Sequence, residues 1–315
     1  MARSVVKMKT ILLLCVAVFA LAQAGNTDIY WSTVRPLWEI PSWQETHPKL
    51  MEIVEAHKEL PQIQYGPGGR IVGGTYAQPH QFPYQVGLIL HLDGGNGFCG
   101  GSLLSKNYVM TAAHCLDAAG SAIAILGAHH VFENEPTQQR IFSPGSSFRL
   151  YPNWDASLVR NDLATLRMEN SAEYIPGLVN SVRLPNFRQI DVDFAGQMSS
   201  ISGWGRFNDS SNELSPTLRY VRLPIMTNLA CTLRWPGIIQ PSNICADGAN
   251  GGPCNGDSGG PVSVIEADGV TTQVGIVSFG LALGCELNWP SAHARVTSFL
   301  EWIDENTDHE IRENW

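Results

Sequence analysis

From residue 82 onward, apolar residues recur at every second position over short stretches. This spacing is typical of β-strands that bury one face. The first such strand carries Tyr84, Val86, Leu88 and Leu90. Further short apolar runs lie between glycine, proline and asparagine residues, at Ile123–Leu126, Ile201–Trp204 and Val274–Phe279. Many short strands separated by turn residues indicate a β-sandwich or a β-barrel, so the pattern predicts an all-β fold.

The N-terminus has a different pattern. Basic residues precede an apolar run, Ile11–Leu21, and the small residues of Ala22-Gln23-Ala24 follow it. This order predicts a signal peptide, residues 1–24, that is cleaved after Ala24. The run is too short for a typical membrane span, although an uncleaved anchor helix is the alternative. A signal peptide predicts a secreted, extracellular protein.

Residues 25–70 contain three tryptophans, several prolines and no cysteine. They end in a glycine-rich stretch, Tyr65–Gly69, that is typical of an exposed linker. We interpret residues 25–70 as an activation propeptide. An independent N-terminal domain is the alternative, but so short a segment without disulfides buries little apolar surface.

Composition narrows the function classes. The chain has 315 residues, 44% of them hydrophobic and 16% charged, with a net charge of −9. It contains no basic cluster, so binding to nucleic acid has no electrostatic support. No second long apolar stretch follows the first, and we expect no membrane partner.

The sequence CNGDSGGPV at 254–262 places a serine between glycines, where the backbone can turn sharply. The N–H groups of Gly256 and Ser258 can then point at one developing oxyanion. A serine hydroxyl needs a base to become a nucleophile. His114, in TAAHC, and Asp162, in NDLA, supply a base and a carboxylate upstream. Their chain order is His, Asp, Ser.

These motifs resemble the chymotrypsin-fold serine proteases over roughly residues 71–305, and in particular the invertebrate chymotrypsins and brachyurin-type collagenolytic proteases. The resemblance implies an all-β fold of two six-stranded antiparallel β-barrels with a C-terminal helix, in a protease domain at 71–315. It implies that His114 is the general base, that Asp162 orients it, and that Ser258 forms the acyl-enzyme. Near the end, Ser298-Phe299-Leu300-Glu301 also predicts a capping box for that helix.

Seven cysteines occur, and Cys15 lies in the signal peptide. The remaining six allow fifteen pairings. The sequence contains no CxxC pair, which is the spacing typical of structural zinc sites, so zinc binding has no support. The resemblance selects Cys99–Cys115, Cys231–Cys245 and Cys254–Cys285.

The sequence RIVGG at 70–74 resembles the activation site of the family. Cleavage after Arg70 would free the Ile71 ammonium to pair with Asp257. A buried carboxylate needs such a partner. Because the propeptide has no cysteine, we expect it to dissociate after cleavage.

The resemblance places the primary specificity pocket at Gly251–Asn255, Ser278–Gly280 and Trp289–Ala294. Gly252 stands at the floor, where trypsin-like enzymes carry aspartate, and Gly280 stands at the mouth. Collagenolytic relatives can carry aspartate at Ser291, and this chain does not. We expect an uncharged pocket for Phe, Tyr, Leu or Met, and a separate trypsin-like protease as the activator. The candidate pocket residues are Gly252, Asn255, Ser278, Gly280 and Ser291.

Broad elastase- or collagenase-like specificity is one alternative. An inactive homologue acting as a binding protein is another, although such proteins usually lose the serine or the histidine. A third is a regulatory protease of a cascade, which usually carries a disulfide-rich regulatory domain. We expect a digestive, monomeric enzyme that meets protein substrates and protein inhibitors.

We expect no cofactor and no metal. His129 and His130 lie near Glu133 and Glu135, but their spacing is not that of a metal-binding helix. Asn208 begins a candidate N-glycosylation site, Asn-Asp-Ser.

Overall fold

The computed structural model describes residues 27–48, 51–52, 74–207, 212–249, 251–280, 285 and 289–312. The predicted signal peptide, Arg70, Ile71 and Asn208 lie outside these residues. No helix in the described ranges is long and apolar enough to cross a membrane. Residues 27–48 are called the N-terminal segment below.

One sheet forms the first barrel, in the order β7-β6-β3-β4-β5-β9-β8. Its strands are β1 (Val34–Pro36), β3 (Gln85–Leu92), β4 (Gly95–Leu103), β5 (Tyr108–Thr111), β6 (Ser121–Leu126), β7 (Gln139–Pro144), β8 (Phe148–Leu150) and β9 (Ala164–Arg167). Strand β4 pairs with β5 only through Ser102 and Leu103. Its earlier residues therefore have an open edge, and β1 pairs there in parallel.

The second sheet runs β10-β13-β14-β15-β12-β11 and is closed by pairing between β10 and β11. Its strands are β2 (Thr75–Tyr76), β10 (Met198–Gly203), β11 (Arg219–Met226), β12 (Asn243–Ala246), β13 (Pro261–Ile265), β14 (Thr271–Phe279) and β15 (Ser291–Arg295). The short β2 adds to β11. The prediction of two antiparallel barrels is confirmed, with short strands added to each.

Strand β3 differs from the half-buried strand that alternation predicted. Gln85 and Ile89, between the expected core positions, are also buried. The second barrel covers that face, and Ser202 donates a hydrogen bond to the Gln85 side chain at 2.6 Å. Contact between the barrels therefore buries both faces of the strand.

Four short helices lie wholly within the described ranges: α1 (Pro41–Thr46), α2 (Ala113–Leu116), α3 (Asn228–Arg234) and α4 (Leu300–Asn306). The predicted C-terminal helix is confirmed as α4. Tyr151 packs against Trp302 of this helix and against Phe299, the residue before it. The predicted capping box is wrong, since Ser298 makes no cap. A 3-10 turn, Val296–Phe299, leads directly into α4, so the helix continues an existing turn rather than starting at a side-chain cap.

The core of the first barrel extends into the N-terminal segment. Leu37, Ile40 and Trp43 belong to the same buried apolar cluster as the barrel residues Leu88 and Phe98. The N-terminal segment is thus packed onto the body of the protein along the side that carries His114.

Candidate active site

Strand pairing brings His114 and Asp162 together. Thr111, the last residue of β5, pairs with Ala164, the first residue of β9. His114 lies in helix α2 just after β5, and Asp162 lies just before β9. Because the two strands are antiparallel, both side chains come to the same end of the barrel.

Asp162 is fully buried and accepts three hydrogen bonds. The His114 backbone N–H donates at 2.9 Å, the His114 ring Nδ1–H at 2.7 Å, and the Ser278 hydroxyl at 2.5 Å. Burial alone would raise the pKa of Asp162, but the charge and hydrogen bonds of His114, with Ser278, lower it below its usual range. With Nδ1–H donating to this carboxylate, Nε2 is the basic nitrogen of the neutral ring.

The loop between β12 and β13 carries Ser258. Its carbonyl accepts from the Gly100 N–H of β4 at 2.7 Å, which ties the loop of the second barrel to the first. Gly256 and Gly259 have φ of 101° and 79°, a region that favours glycine. A Cβ at Gly259 would lie 2.0 Å from the Thr111 hydroxyl, so no larger residue fits.

Ser258 and His114, the predicted nucleophile and base, are both covered. Ser258 is 5% exposed and His114 is 0% exposed. His114 Nε2 is buried and has no hydrogen-bond partner among the described residues. The bond from Ser258 to this nitrogen is therefore not made. Productive triads form that bond, although it often tightens only when substrate binds.

Asp257, next to Ser258, is buried with a carboxylate that accepts only backbone N–H groups among the described residues. Gly205 donates at 2.7 Å and Cys254 at 2.9 Å. Burial raises the pKa of Asp257 to about 6, against these two hydrogen bonds. No cation faces it within the described residues, so this is a buried carboxylate without a counter-charge.

Three of the five predicted pocket residues line one small cavity beside Ser258: Asn255, Ser278 and Gly280. Ser258, Phe279 and Trp38 of the N-terminal segment line it as well. Its volume is about 30 Å³, which has room for about two water molecules and for no aromatic ring.

Gly252 and Ser291 do not line this cavity. A Cβ at Gly252 would meet no atom within 4 Å. The Ser291 hydroxyl instead pairs with His293 Nε2 at 2.9 Å. Burial lowers the pKa of His293 to about 3, so this imidazole is neutral at physiological pH.

Three disulfides are formed, with the pairing that the resemblance implied: Cys99–Cys115, Cys231–Cys245 and Cys254–Cys285. The first ties β4 to the helix of His114, and the last ties the Ser258 loop to the cavity wall. Although Cys99 and Cys115 lie close to His114, their sulfurs are bonded to each other and do not offer thiolates to a metal.

The paired histidines near Glu135 have a structural use. The Glu135 carboxylate accepts from the backbone N–H groups of His129 and His130 at 2.5 and 3.1 Å. His130 Nδ1 lies 3.1 Å from the Thr217 hydroxyl. These contacts hold the loop against the second barrel.

Sequence reasoning missed the role of Trp38, Trp43 and His47. The three tryptophans of residues 25–70 were evident in the sequence, but nothing in their spacing indicated what they would touch. Their partners lie far along the chain, as 71 positions separate Trp43 from His114.

The family model described as Trypsin matches residues 71–303 of this chain. The chain belongs to the trypsin family of serine proteases. Brachyurin of Leptuca pugilator is 41% identical over 238 residues, covering 75% of this chain and 98% of that relative. Collagenase of Hypoderma lineatum is 34% identical over 244 residues, covering 76% and 88%. The solved structure of HL collagenase aligns with a TM-score of 0.67 and 34% identity, covering 76% and 99%.

As a member of the trypsin family, the chain is a serine endopeptidase that acts on protein substrates. The family match begins at residue 71, so the N-terminal segment lies outside it. The contacts of this segment with the active site are therefore an addition to the family domain.

Proposed function

We propose that this chain is a secreted serine endopeptidase made as an inactive precursor, activated by cleavage after Arg70, with a chymotrypsin-like preference for large apolar residues. The observation that carries the proposal is the buried pair of Asp162 and His114, with Ser258 on a loop held against the same barrel.

In the proposed reaction, the Ser258 oxygen attacks the carbonyl carbon of the scissile peptide bond, and His114 Nε2 takes the proton of the serine hydroxyl. The carbonyl oxygen becomes an oxyanion that accepts from the N–H groups of Gly256 and Ser258. Asp162 stabilises the imidazolium without taking its proton. His114 then protonates the leaving amine, and a water molecule cleaves the acyl-enzyme by the same steps.

The activation step rests on Asp257. Its carboxylate is buried without a cation among the described residues. Cleavage after Arg70 creates a new ammonium at Ile71, the kind of partner that a buried carboxylate requires. We propose that this ion pair moves the Asp257 loop so that the Gly256 N–H faces the oxyanion.

The preference for large apolar residues rests on the absence of a carboxylate from the described wall of the cavity. Gly280, which lines the cavity, leaves open space where a Cβ would stand. Arginine or lysine would lose hydration there without gaining a partner. A broader, collagenase-like specificity is the second candidate, since two of the relatives are a brachyurin and a collagenase.

Three disulfides support an oxidising compartment and thus secretion. A digestive role and a monomeric state complete the proposal. Because Arg70 is basic and the described wall of the cavity carries no carboxylate, a separate trypsin-like protease would be the activator.

The test is cleavage of the purified full chain by trypsin, followed by profiling on peptides that differ only in the residue before the scissile bond. Phe, Tyr, Leu and Met should be preferred over Arg by about a hundredfold or more. Ser258→Ala, cut in the same way, is the control and should be inactive. Preference for Arg, or rapid appearance of an Ile71 N-terminus without trypsin, contradicts the proposal.

A further inference from the structure

The N-terminal segment crosses the active-site face of the first barrel. Val34–Pro36 pairs in parallel with Asn96–Phe98 of β4. Leu37 follows and is 0% exposed. A Cβ at Gly97 would lie 2.7 Å from Leu37 Cδ1, so the glycine at this position makes room for the leucine side chain.

Trp43 covers the catalytic histidine. Its ring is buried, and its indole N–H donates to the His114 carbonyl at 2.8 Å. The two rings meet edge to face at 6.0 Å between centroids. Because His114 Nε2 has no partner and no contact with solvent, a substrate cannot reach this nitrogen while the segment is in place.

Trp38 covers the other end of the site. It packs against Trp43 at 5.1 Å between ring centroids and lines the small cavity beside Ser258 and Gly280. With Trp38 in place, that cavity is too small for the side chain of a substrate. The segment therefore blocks both the base and the specificity pocket.

His47 fixes the far end of the segment. Its ring stacks on Trp43 at 4.1 Å, its Nδ1 lies 2.9 Å from the Trp43 carbonyl, and its Nε2 lies 2.9 Å from the Asp117 carboxylate. Both nitrogens thus face acceptors, which suits the doubly protonated ring. Burial opposes this charge, but Asp117, with a smaller contribution from Asp162, raises the pKa of His47.

We infer that the N-terminal segment is an intramolecular inhibitor of the protease, which stays bound in the active-site cleft after Arg70 is cleaved and must dissociate before substrate can bind. The inference rests on the proposed function. Cleavage alone then makes a nicked, inhibited complex, and the appearance of activity depends on concentration. Because the propeptide has no cysteine to link it to the protease, the sequence predicted that it would dissociate after cleavage. The buried contacts of Leu37, Ile40 and Trp43 favour its retention instead.

The backbone explains why the segment blocks the site without serving as a substrate. Leu37–Glu39 forms a helical turn in which the Ile40 N–H donates to the Leu37 carbonyl at 3.1 Å. Helix α1 follows, and Gln44 binds the Trp38 carbonyl at 2.6 Å. The peptide bond after Trp38 is therefore held in a hydrogen-bonded turn, while extended peptides are the form that pairs with strand edges.

The experiment uses the full chain at micromolar concentration, cut after Arg70 by trypsin, which is then removed with an immobilised inhibitor. Gel filtration should show the segment eluting with the protease. Activity on a small peptide should be about a tenth or less of its final value, and should rise with dilution and time.

Leu37→Asp places a charge in the buried contact and should give full activity as soon as Arg70 is cut. Tyr30→Asp is the matched control, because Tyr30 is exposed, and should stay inhibited like the native chain. Full native activity at once, without co-elution, overturns the inference, and so does rapid cleavage after Trp38. If neither the diluted native chain nor cut Leu37→Asp ever becomes active, the proposed function itself fails.

Discussion

Replacing Trp43 by alanine should weaken the binding of the N-terminal segment by about two to three and a half orders of magnitude. Trp43 is fully buried and contacts Trp38, His47 and His114. Truncating a buried tryptophan to alanine costs about 3–5 kcal/mol, including the cavity that is left. Each 1.4 kcal/mol, roughly, is a factor of ten in a dissociation constant.

The assay compares the native chain, Trp43→Ala and Tyr30→Ala, each cut after Arg70. Initial rates on a small peptide substrate, measured over a dilution series, give the dissociation constant of the segment. Trp43 does not belong to the protease released by this cut, so the final rates of all three chains should agree. A dissociation constant for Trp43→Ala within threefold of the native value would refute the argument that Trp43 anchors the segment.

Three further changes test separate parts of the account. Because the pKa of His47 is raised in the complex, its contribution is full below about pH 6.5 and is lost as pH rises through the raised value. The cut segment should therefore co-elute with the protease more completely at pH 5 than at pH 8, and His47→Gln should flatten this dependence. In the uncleaved chain the pKa of Asp257 is raised to about 6, so its contribution to stability is present below about pH 4 and is lost as pH rises through about 6. In thermal unfolding experiments, the free energy of unfolding of Asp257→Asn should not show this loss of about 3 kcal/mol. If the native chain and Asp257→Asn have the same dependence of stability on pH, the buried, unpaired carboxylate is contradicted. Finally, Gly252→Asp should lower kcat/KM for peptides cut after Phe or Tyr, and unchanged values would remove Gly252 from the pocket.

The sequence predicts the parts of this protein that depend on short-range patterns. Alternation along β3 indicated a strand, and the glycines around Ser258 indicated a sharp turn. The order of His114, Asp162 and Ser258 along the chain indicated the family, and the resemblance to that family implied the disulfide pairing. Burial of the second face of β3 was not predictable from the strand itself, because the second barrel provides the covering surface.

The contacts of the N-terminal segment could not be predicted for a related reason. Its strand β1 has three residues and ends in proline, so it has almost no strand signal. His47 and Asp117 are 70 positions apart, and no sequence pattern near either residue indicates that the two side chains pair. Such pairs are fixed by tertiary packing, which local sequence patterns do not encode.

The most direct measurement follows the reactivity of Ser258 with a fluorophosphonate that labels activated serine nucleophiles. The account predicts almost no labelling of the uncleaved chain, slow labelling of the freshly cut chain, and rapid labelling once the N-terminal segment has been separated. The label should be found on Ser258, and Ser258→Ala should remain unlabelled. Equal labelling rates of the freshly cut chain and of the protease freed of the segment would contradict the claim that the segment closes the active site.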